Sequence, residues 1–431
     1  MKKMIAILLV VCLALGGAMG YWGYRTGGAP VSPAETAAPE EAVPDATETT
    51  ADTETPAPAE ADVQEPGTDA VTSGEMQMED LDYQTMDLDR LYATHDPEEI
   101  VLSVNGKTEN WRDYFYFLAT QVDYVENYLV RIYANYGAEL LWSDVAEEDG
   151  TTYADLAVDG AADAIRQFAT VEGFAKDNGI ELTEDNREAI AQQEALDMAT
   201  YCGPDATEAD FEAYLAERYM SREMYDRINT VNALYQEGFR KLYGENGEVL
   251  EDEAALQYLE DNGYISASHI LLMTVDPATG EKLDDAAVEE KAATARRLAE
   301  ELQAIKDPQE LLERFRQLKE EYCEDTGKTV YPAGYTFTHR TMVTEFEDAC
   351  NALEPYEVSD PVQSSYGYHI IMRLPPDPDA LLFNSSADPI TARATAANAE
   401  YGQRLQAYMD GLEVEYAEGF EKPNLLDYIN G

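Results

Sequence analysis

Basic residues are scarce. Against 86 Asp and Glu the chain sets only 29 Lys and Arg, a formal net charge of −57 over 431 residues. A surface of that sign repels phosphate backbones and anionic headgroups, which excludes nucleic acid and the membrane surface as partners. Cysteine is scarcer still. Cys12, Cys202, Cys323 and Cys350 show no C-x-x-C or Cys/His spacing, which argues against a disulfide framework and against a zinc site. Nothing in the sequence calls for a metal or a cofactor. Histidine also occurs only four times, as His95, His269, His339 and His369, so each position carries information.

Long apolar runs are limited to one. Residues 4–19 follow Met1-Lys2-Lys3 and end among Gly16, Gly17, Ala18 and Gly20. That is the form of an export signal, residues 1–25, and it is shorter than the ~20 residues a full span needs. Tyr21, Trp22 and Tyr24, with Arg25 behind them, also allow an uncleaved anchor. Either way the remainder is expected outside the cytoplasm, secreted or held at the membrane by this segment alone. Residues 26–95 follow, with no Lys or Arg before Arg90 and with scattered acids among Pro, Ala and Thr. Such a segment has little to bury and repels itself, so it reads as a disordered acidic linker.

The folded body is expected from about residue 97. Residues 100–107 read as a strand and a tight turn at Asn105-Gly106. Tyr114, Phe115, Leu118, Val122, Val125 and Leu129 then recur at helical spacing. Further helices are expected over 153–178, after Thr183, after Thr207 and over 221–243, giving a helical region from 96 to 260. Its aromatic stripe is foremost core, although Tyr and Met in excess also suit an adaptable groove. Near Tyr264 the texture changes to strand, helix, helix, a short irregular stretch at 331–337, a short helix, and two strands. That is a compact α+β domain over 261–376, in the order β-α-α-α-β-β. Residues 377–431 supply a last helix and a possible strand.

Two of the four histidines form a symmetric pair, in Ser268-His269-Ile270-Leu271-Leu272 and Tyr368-His369-Ile370-Ile371-Met372. Both sit in apolar strands, and on adjacent strands they can fix each other's tautomers. By pattern alone, two satisfied core histidines is the plainer reading.

The two histidine segments, with Tyr322-Cys323-Glu324-Asp325, Gly334-Tyr335-Thr336-Phe337, Met342-Val343-Thr344-Glu345-Phe346-Glu347-Asp348-Ala349 and Val358-Ser359-Asp360-Pro361-Val362, resemble the parvulin (PpiC-type) peptidyl-prolyl isomerase domain over about 264–376. Asn105-Gly106 and the stretch 175–185 resemble the helical chaperone domain of PrsA/SurA-type foldases. The resemblance implies a SurA-N-like helical domain with an inserted parvulin-like α+β domain on an antiparallel sheet, and residues 377–431 packing back on the helical part. It implies that His269 and His369 are the buried pair, that Asp325 holds the polar active-site position, and that Met342 and Phe346 line a slot for the proline ring with Phe337 beside it. Asp325 also reads simply as a loop-capping Asp. Ala333-Gly334-Tyr335-Thr336 replaces the usual Gly-Asp-Leu-Gly, and the acidic loop 276–285 disfavours phosphoserine. His339 reads as a surface residue and Cys323 as a small buried one. The expected activity is cis-trans isomerisation of X-Pro bonds in unfolded or proline-containing polypeptides, as an exported foldase. The alternative is a holdase whose parvulin fold is weak or inactive.

Overall fold

The computed structural model describes residues 84–136, 140–147, 149–383 and 389–430. The export segment and most of the acidic linker lie outside the described residues. Among the described residues, no helix is long and apolar enough to cross a membrane.

Order begins earlier than the composition suggests. Helix α1 (Leu88–Tyr92) is capped by Asp87, whose carboxylate accepts the Arg90 amide at 3.1 Å, and it buries Leu88 and Leu91. Met86 bridges to Ile429. Residues 84–95 are therefore folded, not linker: three apolar side chains at close spacing outweigh the acids around them.

A hairpin follows, β1 (Ile100–Val104) and β2 (Lys107–Asn110). Asn105 and Gly106, at φ 50° and 75°, make the left-handed pair that a tight hairpin turn requires. Helix α2 (Trp111–Tyr136) starts at once and buries Trp111, Tyr114, Phe115, Leu118 and Val122. Helices α3 (Tyr153–Asp177), α4 (Glu184–Tyr201), α5 (Glu208–Ala216), α6 (Arg222–Tyr243) and α7 (Asp252–Asp261) complete the helical part. Thr207 and Asp210 cap α5 reciprocally, as the Thr-x-x-acid spacing predicts.

The α+β part runs β3 (Ile265–Met273), α8 (Asp285–Ala304), α9 (Pro308–Tyr322), a 3-10 turn (Thr326–Thr329), β4 (Tyr335–Phe337), α10 (Thr344–Ala352), β5 (Val362–Gln363) and β6 (Gly367–Leu374). The stretch expected to be irregular thus contains a strand. Three residues are too few to show alternation, and only pairing with β3 reveals it. The sheet order is β4-β3-β6-β5, antiparallel throughout. Helix α11 (Ala392–Asp410) and strand β7 (Val414–Tyr416) close the chain.

Two compact units result. The first draws on the described residues within 84–167, on Tyr201–Ile228 and on 414–430, with the three-stranded sheet β2-β1-β7. The second comprises Phe168–Thr200 and Asn229–Glu413. In the second unit α11 buries Ala396, Ala397 and Tyr401 against Phe174, Ile180, Tyr243 and Ala255.

Strand alternation sorts the second unit's α+β core. Ile270, Leu272, Ile370 and Met372 face α8 and α9, meeting Ala295, Leu298, Leu302, Leu311, Phe315 and Leu318. Ala267 and Ile371 join a separate cluster with Tyr331, Tyr335, Phe337, Phe346 and Cys350. The histidines share the parity of Ala267 and Ile371.

Candidate active site

Register brings the histidines together. In the β3–β6 ladder His269 lies opposite Ile371, and Leu271 opposite His369. The two imidazoles are thus diagonal neighbours on one face, with Nδ1 atoms 3.3 Å apart across a sequence separation of 100. Both side chains are buried.

The pair is the middle of a longer chain of polar groups. His269 Nε2 lies 2.9 Å from Asp325 Oδ2, and His369 Nε2 lies 2.7 Å from Ser364 Oγ. The Ser364 oxygen in turn accepts the Tyr366 amide at 3.1 Å. Tyr335 donates its hydroxyl to the same Asp325 Oδ2 at 2.6 Å. Asp325 Oδ1 accepts the Gly327 amide at 2.9 Å, capping the 3-10 turn. Asp325 thus caps its own turn with Oδ1, as the loop reading expects, and meets His269 and Tyr335 with Oδ2.

With the imidazoles uncharged, one placing of protons satisfies every contact. An ionised Asp325 only accepts, so His269 carries its proton on Nε2. Its bare Nδ1 then accepts from His369 Nδ1–H, and the bare Nε2 of His369 accepts from Ser364. The electrostatics agree with this arrangement. Burial alone would push Asp325 up, but the hydrogen bonds from His269 and Tyr335, then the Gly327 amide, outweigh it and hold the carboxyl well below the usual carboxylate range. Burial, with His269 beside it, pulls His369 down to about 3, so it stays neutral. Burial and the Asp325 carboxylate push the Tyr335 phenol well up, so it remains a donor.

Apolar walls surround the pair. The Phe346 ring stands edge-on to both imidazoles, with centroids 5.2 Å from His269 and 5.5 Å from His369. Phe337 lies 5.9 Å from Phe346, and Met342 packs on the same cluster. All six residues expected at the site thus fall in one region of the second unit. His339, as expected, is exposed, and it contacts the buried Glu347 carboxylate. Cys323 is buried, its sulfur 3.4 Å from the Leu271 amide, and burial raises its thiol.

Residues 269–374 match the family described as Rotamase, the PPIC-type PPIASE domain. Over that segment the chain is similar to the PPIC-type PPIASE domain. Foldase protein PrsA of Oceanobacillus iheyensis is 31% identical over 194 residues, which covers 44% of this chain and 55% of that relative. Foldase protein PrsA 1 of Bacillus cereus is 46% identical over 81 residues, 18% of this chain and 26% of the relative. This chain thus spans about half the length of the first of these curated relatives, and less of the second. The crystal structure of PrsA from Bacillus subtilis aligns at 17% identity over 63% of this chain and 93% of that one, with a TM-score of 0.22.

Three polar side chains of this part of the unit escape the sequence reading. Ser364 shows only as a serine five positions before His369. Tyr335 lies in the segment that departs from the usual pattern, and nothing local says that its hydroxyl reaches Asp325. Lys319 is buried at the end of α9, where its ammonium donates to Ser268 Oγ at 3.2 Å and to the Pro332 carbonyl at 3.1 Å. Burial lowers its pKa.

Proposed function

We propose that the protein is an exported peptidyl-prolyl cis-trans isomerase and foldase, acting on unfolded or proline-containing polypeptides. One observation carries the reading: the hydrogen-bonded series Asp325–His269–His369–Ser364 lies beneath the Phe346 ring, within the segment that matches the PPIC-type family. Export rests on the Lys2-Lys3 flank and the apolar run 4–19, and the extracytoplasmic location follows from it. Membrane attachment, where it occurs, would be through that same segment.

The mechanism follows from amide physics. Rotation about X-Pro meets a barrier of ~18–20 kcal/mol because the nitrogen lone pair is delocalised into the carbonyl. Uncatalysed exchange takes tens of seconds, slow enough to limit folding. A reduction of ~5 kcal/mol brings it to milliseconds. No bond breaks. A pyrrolidine ring seated against Phe346, Met342 and Phe337 leaves water, and an apolar slot disfavours the charge-separated planar amide more than the twisted one. The imidazole pair, fixed in orientation by its hydrogen bonds, supplies a preorganised dipole field without transferring a proton. Asp325 tunes that field near the substrate carbonyl. The helical first unit would hold the client; Tyr124 and Tyr128 stand exposed one turn apart on α2 and suit that use.

A protease-coupled proline-peptide assay tests the reading. The wild-type chain accelerates cis-trans exchange, and His269→Ala and Phe346→Ala each lower kcat/KM by at least about tenfold, as loss of ~1.4 kcal/mol of transition-state binding requires. A wild-type chain that leaves the rate unchanged would remove the enzyme. The holdase alternative draws on the departure at 333–336. It predicts suppression of client aggregation that survives Met342→Ala and Phe346→Ala, with no isomerase activity.

A further inference from the structure

Asp325 is expected to work through the oxygen that faces His269, and that oxygen has a second donor. Tyr335 Oη lies 2.6 Å from Asp325 Oδ2, while His269 Nε2 lies 2.9 Å from the same atom. Oδ1 is held separately by the Gly327 amide. Three donors from three directions fix both the position and the plane of the carboxylate. Asp325 itself is a loop residue at the start of a single 3-10 turn, where the backbone alone gives little rigidity.

The phenol is itself held firmly. Tyr335 pairs with Ala267 in the sheet, two residues before His269 on the same strand. Its ring joins a three-ring cluster, tilted against Tyr331 at 5.0 Å and edge-on to Phe383 at 5.2 Å, and it meets the His269 ring at 5.6 Å. Lys319 tethers the Pro332 carbonyl just upstream. Space for the hydroxyl is made on the other side of the contact. A β-carbon on Gly327 would come within 2.1 Å of Tyr335 Oη, so only a glycine there admits the bond.

We propose that Tyr335 is a positioning residue, which acts through Asp325 to keep His269 in the Nε2–H tautomer and so sets the direction of the whole hydrogen-bonded series, with Gly327 as the residue that makes room for it. This rests on the isomerase reading for its consequence in rate, and on geometry alone for its consequence in tautomer. An aspartate held by His269 and Gly327 only can turn about its side-chain bond toward water. The imidazole then samples both tautomers, and the field at the slot averages.

The experiment uses the full chain with 15N-labelled histidine, together with the proline-peptide assay. In the wild type, His269 shows a bare Nδ1 and His369 a protonated one. Tyr335→Phe keeps the ring contacts and removes the hydroxyl; Gly327→Ala keeps the hydroxyl and pushes it off. Both variants are expected to show averaged His269 nitrogen shifts and to lose about tenfold in kcat with KM little changed, the scale of one hydrogen bond to a charged group. In an Asp325→Ala background, Tyr335→Phe is expected to cost less than about twofold more, because its route of action is gone. A His269 tautomer that stays fixed in both variants would overturn the proposal, as would a full additive loss in the Asp325→Ala background. If the wild-type chain shows no isomerase activity the functional reading fails, and the nitrogen shifts still decide the role of Tyr335.

Discussion

A single carboxylate serves three donors at this site. Asp325 stabilises its own loop through Oδ1 and orients an imidazole through Oδ2, so removing it both loosens the turn and frees His269. Cys323, two positions earlier, behaves otherwise. It is buried, its thiol is raised by burial, and its sulfur lies against the Leu271 amide and the His269 carbonyl. A raised thiol is a poor nucleophile. Cys323→Ala is therefore expected to retain the proposed isomerase activity within about twofold while costing ~1 kcal/mol in urea unfolding, the ordinary price of a small core truncation. Loss of activity in a variant that still folds would assign the sulfur a chemical role.

The elements show what a sequence can and cannot disclose. The long helices, the strand before the Asn105-Gly106 turn and the two histidine strands were legible, because each shows a pattern over enough residues to be counted. Strand β4 was not, since Tyr335–Phe337 is held by its pairing with β3 and its own three residues show no period. Helix α1 was hidden by composition: Asp87 and Asp89 read as more acidic linker, while Met86, Leu88 and Leu91 find their burial only in the folded chain. The same limit applies to the site. His269, His369 and Asp325 were visible through resemblance, but Ser364 and Tyr335 sit only five and ten positions from their partners with no motif to mark the bond. Helix α11 offers an element-scale test. Tyr401 is fully buried, donates to the Tyr235 carbonyl at 3.0 Å and packs on Phe174 and Tyr235. Tyr401→Ala is expected to cost about 3–5 kcal/mol in denaturant unfolding of the second unit, as other large aromatic truncations do. A loss below ~1 kcal/mol would show that α11 docks loosely.

At the scale of the molecule, charge and burial act in opposite directions as the medium is acidified. Neutralising carboxylates relieves the repulsion of a chain at −57. The site acts the other way. His369 is held at about 3 in the folded chain against 6.5 for the free residue. Between those values the unfolded chain binds the extra proton, so stability present above the window is lost as pH falls through it. Asp325 adds in the same sense at lower pH, because its depressed folded value makes its contribution present above the unfolded carboxylate range and lost below it. Thermal melts of wild type and His369→Gln between pH 7 and pH 4 separate these effects. The wild type should lose more Tm than the variant over that range; parallel curves would mean that the imidazole titrates freely in the folded state.

Nδ1 meets Nδ1 across a hundred residues of chain, and this has a consequence for synthesis. A polypeptide still on the ribosome, with β6 not yet emerged, can form α8 and α9 but has only half of the pair. Competence is acquired in one step, when the final strand of the domain adds beside the first. The proposed activity would then report that the sheet has closed in register.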